Sequence, residues 1–256
     1  MYERIDKFLP KGPKWQYEII TLPEALNEPQ ILFYWDPIEC LQFLAANPSF
    51  DGYQTYGPVK FFTDKECTER VYGEINTGDA WHYYQKLIGP DQTVNLLIFA
   101  SDATHVTNFS GDGKVHPIYM STAQIHGDIR NQPNQRAFIL VGYIPVCKFQ
   151  KTEYPNPTKQ QNYPGRLQAR LFHTSLKVIM QNVVKAGTIA VPITNSHGEV
   201  RMNRVFLGAW IADKEEQNII AALGANSCYC CLAETHDLGN PKPLAVSVSL
   251  LSKNTN

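Results

Sequence analysis

The sequence predicts a mixed α/β fold, and three observations carry that reading. Three apolar runs of strand length follow one another between residues 93 and 146. A run with helical spacing covers 166–184, and a further apolar run from Val205 to Ala212 delivers Asp213. At 256 residues, 43% hydrophobic and 18% charged, the chain can bury a real core, which excludes global disorder.

Residues 1–90 read as an irregular, partly helical extension that packs on the core. Prolines recur there at 10, 13, 23, 29, 37, 48 and 58, and few periodic stretches lie between them. One short helix fits 37–46, where Ile38, Leu41 and Leu44 repeat at spacings of three and Asn47-Pro48 supplies the stop. The aromatics of this part, among them Trp15, Phe33, Trp35 and Trp81, are expected to pack against the sheet, with few left as base-stacking platforms.

The core is expected over 91–239, with 240–256 as a tail. Its first strand is 93–107, a central one because its middle is apolar on both faces. Gly111-Asp112-Gly113 turns the chain into a second strand, 115–125, and a third covers 137–146. The polar, Pro-rich stretch 148–165 reads as an excursion without regular structure. In 166–184, Leu167, Leu171, Leu176, Ile179 and Val183 share one broad helical face, and Gly187 is the expected stop. A short strand at 187–193, a strand at 202–212 and a helix at 214–223 complete the order. Three strands, a crossover helix and a fourth strand parallel to the first make the ribonuclease H-like arrangement.

Within that arrangement two acids stand out. Asp102 directly follows Leu97-Ile98-Phe99-Ala100-Ser101, and Asp213 ends the later apolar run. A carboxylate at the lip of a buried strand sits on a stiff framework and suits a divalent cation such as Mg²⁺. Each has a plainer reading. Asp102 fits an Asx turn or a solvent-facing strand end. Asp213 fits the N-cap of the helix after it, with Glu216 completing a capping box.

Charge is uneven along the chain. Residues 1–90 hold 8 basic and 13 acidic side chains, whereas 130–204 hold 11 basic ones against Glu153 and Glu199 alone. Arg130, Arg136, Arg166 and Arg170 are the candidate nucleic-acid contacts of that segment; a scattered, solvated distribution is the alternative. No stretch approaches the roughly 18 apolar residues of a membrane span, so no membrane partner is expected. The N-terminus lacks the apolar centre of a secretory signal, and the six cysteines are expected reduced. Cys228, Cys231 and His236 have the spacing of three zinc ligands, although a single CxxC also fits reduced core cysteines. Ser101 has no nucleophile-elbow glycines and Gly113-Lys114 no Walker spacing, which disfavours a serine hydrolase and a P-loop enzyme.

Several stretches taken together carry a family resemblance: FYWDPIECLQFLAANPSF, YGEINTGDAWHYYQ, LLIFASDATHVTNFSGDGKVHPIYMSTAQI, AFILVGYIPV, LFHTSLKVIM, FLGAWIADKEEQ and CYCCLAETHDLG. In this order the chain resembles the Plavaka-type fungal DNA transposases, related to the Kyakuja–Dileera–Zisupton superfamily. The resemblance implies a cut-and-paste transposase with a ribonuclease H-like catalytic domain and three metal-binding acids. Asp102 matches the first acid and Asp213 the second, with Mg²⁺ or Mn²⁺ as the ancestral cofactor. Cys228, Cys231 and His236 match a Cys-and-His element whose zinc would be structural. The third acid, a later Glu, has no counterpart. The expectation is therefore a truncated or domesticated transposase core, ancestrally a metal-dependent DNA strand-cleavage and transfer enzyme and inactive as this isolated chain. The alternatives are a noncatalytic nucleic-acid or protein-binding module and a non-functional remnant. DNA and a second copy are the expected partners, and the nucleus is the expected location if the chain works.

Overall fold

Strand β5 (Thr93–Ser101) is the centre of the sheet, and all nine of its side chains except that of Ala100 are buried. It needs a covered surface on both sides, and the rest of the chain supplies it. A computed structural model of the chain describes residues 12–106, 113–154 and 157–224, with 227, 228, 231, 233 and 237 in addition. The expected tail, His236 and most of the expected turn at 111–113 lie outside these residues. The chain divides into two compact units, Met1–Trp210 and Ile211–Asn256.

The first unit is a mixed sheet with helices. In chain order it holds β1 (Gln16–Ile20), β2 (Gln30–Tyr34), α1 (Pro37–Ala45), the small hairpin β3 (Phe61–Phe62) and β4 (Arg70–Val71), and α2 (Asp79–Ile88). After β5 come β6 (Thr104–His105), β7 (Lys114–Thr122), the short α3 (Gly127–Arg130), β8 (Ile139–Ile144), α4 (Pro157–Ile179), α5 (Gln181–Thr188), β9 (Val191–Thr194) and β10 (Val200–Ile211). The strands lie in the order β1-β2-β8-β7-β5-β10-β9, with β6 paired to β7.

All neighbouring strands but one pair run antiparallel: β1 with β2, β2 with β8, β8 with β7, β7 with β5 and β6, and β10 with β9. The exception is β5 beside β10. Gly208 lies against Leu96 and Leu97, while Trp210, two residues on, lies against Phe99 and Ser101. The two strands advance together, so they run parallel. The helices α4 and α5 provide the crossover that a parallel return requires.

The two faces are covered differently. Helix α1 lies on β7, β8 and β9, presenting Cys40, Leu41 and Leu44 as buried residues. It begins where expected because Asp36 Oδ1 accepts the Ile38 amide and Pro37 occupies the first turn. Helix α2 covers β5 from the other side: Trp81 packs with Val94, Leu96, Ile98 and Ala123, and Tyr84 stacks on Phe206 at 4.4 Å. A buried amide network, Asn95 Nδ2 to Gln124 Oε1 and Thr122 Oγ1 to Asn95 Oδ1, pins the start of β5 to the end of β7.

Two features depart from the sequence reading. The first 90 residues are not merely an appendage, since β1 and β2 extend the main sheet through Phe33↔Tyr143 and Tyr34↔Gly142. The crossover helix starts at Pro157, inside the stretch read as irregular, and carries Pro164 in its interior. Its anchors Leu167, Leu171, Phe172 and Ile179 are buried, so tertiary packing holds the helix together and the N-terminal turns extend from it. A break at Met180 separates α4 from α5.

Gly142 is needed for the outer strands to attach. A Cβ there would lie 2.7 Å from Phe33 O and 2.9 Å from Tyr34 Cβ. Gly142→Val should lower unfolding free energy by roughly 1–3 kcal/mol, from the overpacking alone. Urea denaturation measures it, and an unchanged midpoint would show that β2 does not need this close approach.

Candidate functional site

Asp102 stands immediately beyond the last residue of β5. Its neighbour Ser101 is 6% exposed, whereas Asp102 itself is exposed. The strand end is fixed from β10: Trp210 Nε1 donates to Ser101 Oγ at 2.7 Å, and the Trp210 ring stacks on Phe99 at 5.1 Å. A carboxylate thus leaves the C-terminal end of the central strand from a point tied down by hydrogen bond and ring contact. Sequence reasoning selected Asp102 but not Trp210 or Ser101. Trp210 was visible only as one more apolar residue of its run, because the partner lies 109 positions away.

Asp213 belongs to the second unit, where it caps α6 (Lys214–Ile220). Its Oδ1 accepts the Glu216 amide at 2.7 Å, as the capping reading expects, and Gln217 Nε2 donates to Ala212 O at 2.6 Å. Asp213→Ala should cost about 1 kcal/mol, felt locally in this helix. Faster amide exchange over 214–217 is the expected result, and unchanged exchange would show that the cap contributes nothing.

The four arginines have different surroundings. Arg130 is 9% exposed and donates to Ile125 O at 2.6 Å. Burial lowers its pKa, against the opposing effect of the Glu74 carboxylate. Arg136 is exposed, with a left-handed backbone at φ 52°. Arg166 and Arg170 are exposed on α4, and Arg170 pairs with Glu24. Lys177, also exposed, continues the Arg166–Arg170 stripe at helical spacing.

Cysteine chemistry is also distributed. Cys40 is buried, and that burial, with the Asp36 and Glu39 carboxylates, pushes its thiol up to about 12. A thiol reagent at pH 8 should therefore modify exposed Cys67 well before Cys40, as peptide mapping would show. Equal labelling would mean that the α1 face opens. Cys228 and Cys231 are half-buried, while His236 lies outside the described residues. His173 lies on α4 with its ring 5.8 Å from that of Phe172. Among the described residues no group of three or more His, Cys, Asp or Glu side chains is arranged to hold a metal ion. No described helix is long and apolar enough to cross a membrane.

The family model for Plavaka transposases matches residues 1–251. The chain belongs to the Plavaka transposase family. That match covers the central sheet and Asp102 as well as the segment of Asp213, so it supports the resemblance drawn from the sequence motifs. Membership implies transposase function and, with it, action on DNA. No curated protein matches this Plavaka chain, and no solved structure does.

Proposed function

We propose that this chain is the DNA-handling core of a Plavaka transposase, built on a ribonuclease H-like sheet. Asp102 is its first inherited metal-binding acid and Asp213 its second. The observation that carries the reading is the family match over a fold that places Asp102 at the end of a buried central strand parallel to a later one. Divalent-metal-dependent strand cleavage and transfer is the ancestral chemistry. A bound Mg²⁺ or Mn²⁺ would stabilise charge on the reacting phosphate. Among the described residues the carboxylates do not make up a complete donor set for such an ion. What these residues supply by themselves is DNA binding and positioning, and cleavage requires a further carboxylate. Work on DNA places the protein in the nucleus when it is functional. Structural zinc at Cys228, Cys231 and His236 belongs to the same inherited reading.

Nucleic-acid contact is assigned to the exposed stripe of α4, Arg166, Arg170 and Lys177, with Arg136 as a further cation. Arg130 serves inside the fold. Fluorescence anisotropy against duplex DNA tests this reading. Binding should weaken steeply with salt, and Arg166→Ala with Arg170→Ala should reduce the salt slope by about 2. Absence of binding at low salt would overturn the reading. A noncatalytic binding module is the second reading, favoured by the use of Asp213 Oδ1 as a helix cap. DNA affinity indifferent to metal and to Asp102→Ala, with no cleavage, would select it.

A further inference from the structure

Among the described residues, the sheet has one end that is closed and one that is left open. At the β9 end, Pro192 has no amide to donate, and the Gln42 side chain occupies the backbone of Thr194, accepting its N–H at 3.4 Å and donating to its carbonyl at 3.5 Å. These are devices that keep an edge strand from pairing with another chain. At the other end, β1 is last in the strand order, and no described strand pairs with its outer side.

Beside that open edge lies an uncovered apolar face. Tyr17 is paired with Phe33, Ile19 with Ile31, and Phe33 with Tyr143, and directly paired residues share a face. Trp15 joins them, stacked on Tyr143 at 6.3 Å. These six side chains are between 40% and 67% exposed. Helix α2 covers β5, α1 lies on β7, β8 and β9, and α4 meets β1, whose opposite face holds the buried Ile20 and its neighbour Leu32. Together the exposed parts of the six amount to about 600 Å², half of a lower-range specific interface when both partners are counted.

We infer that this face, with the β1 edge beside it, is where a second copy of the chain docks, sheet against sheet about a two-fold axis. The chemistry selects a protein surface over nucleic acid. A base-stacking platform needs cations along its rings to meet the phosphates, and beside these six rings and aliphatic chains Lys14 is the one basic neighbour between positions 12 and 34. The area is what a dimer needs from each partner, and an isologous contact brings the same rings together from both sides. The inference does not depend on the cleavage chemistry of the family.

Sedimentation equilibrium of the full chain, from about 1 to 100 µM, tests it. The chain should dimerise, and Tyr17→Ser with Phe33→Ser should raise the dissociation constant roughly thirtyfold or more. Hydrogen exchange on the unmodified chain provides a reading that does not depend on the variant folding. Protection over 15–19 and 31–34 should fall on dilution to monomer. A monomer across the whole range, a variant that dimerises as well as the parent, or exchange over these segments indifferent to dilution would each overturn the inference. Quenching of tryptophan fluorescence by oligo-dT at low salt, lost in the double variant, would also overturn it by making nucleic acid the occupant.

Discussion

Asp102→Ala is expected to lower magnesium-dependent strand cleavage by about 10³-fold or more, measured in the longest polypeptide encoded at the locus. The size follows from the several kcal/mol of charge stabilisation that a correctly held metal contributes to a phosphoryl-transfer transition state. The specificity of the test follows from the position of the residue. Asp102 is exposed and lies outside β5, so its removal leaves the buried strand, the Trp210–Ser101 hydrogen bond and the Phe99–Trp210 stack in place. Thermal stability and salt-dependent DNA binding should therefore stay close to those of the parent. Cleavage retained at the parent rate would remove Asp102 from the chemistry. Loss of cleavage together with loss of folding would make the residue structural.

Trp81→Ala is expected to cost about 3–5 kcal/mol, as for other buried aromatic side chains cut back to a methyl group. Trp81 is fully buried, and it is the residue through which α2 packs on Val94, Leu96, Ile98 and Ala123. Against a typical total stability of about 5–15 kcal/mol, that loss is a large share. Trp81→Phe should cost much less. It keeps most of the volume, and the indole N–H that it removes has no hydrogen-bond partner among the described atoms. Urea or thermal unfolding of the pair measures both. A cost below about 1 kcal/mol for Trp81→Ala would mean that α2 is not part of the folding core.

The parts legible in the sequence were those whose structure is decided locally. The strands β5, β7, β8 and β10 announced themselves by apolar runs, α1 by its Ile38, Leu41 and Leu44 spacing, and the start of α6 by the aspartate in front of it. Asp102 was legible for the same reason, as the first charge after such a run. The short outer strands were not. QYEII and QILFY give too few alternations to separate from their proline-rich surroundings, and the pairing that joins β2 to the main sheet comes from Tyr143, more than a hundred residues later. The aromatic anchors of α2 were read without a helix, because Trp81 and Tyr84, with Ile88 beside them, acquire meaning only against β5 and β10. Proline at 157 and 164 concealed the start of α4. Nor could charge patterning separate buried Arg130 from exposed Arg166, since tertiary structure brings Glu74 to one and solvent to the other.

Nicking of supercoiled plasmid DNA, in Mg²⁺ and in EDTA, measures the central claim most directly, using this chain and the longest product of its locus side by side. Cleavage by the longer product in Mg²⁺ alone, with DNA bound but uncut by this chain, is the result expected if strand cleavage needs a carboxylate beyond Asp102 and Asp213. Metal-independent cleavage, or a longer product that neither binds nor cuts DNA, would contradict it.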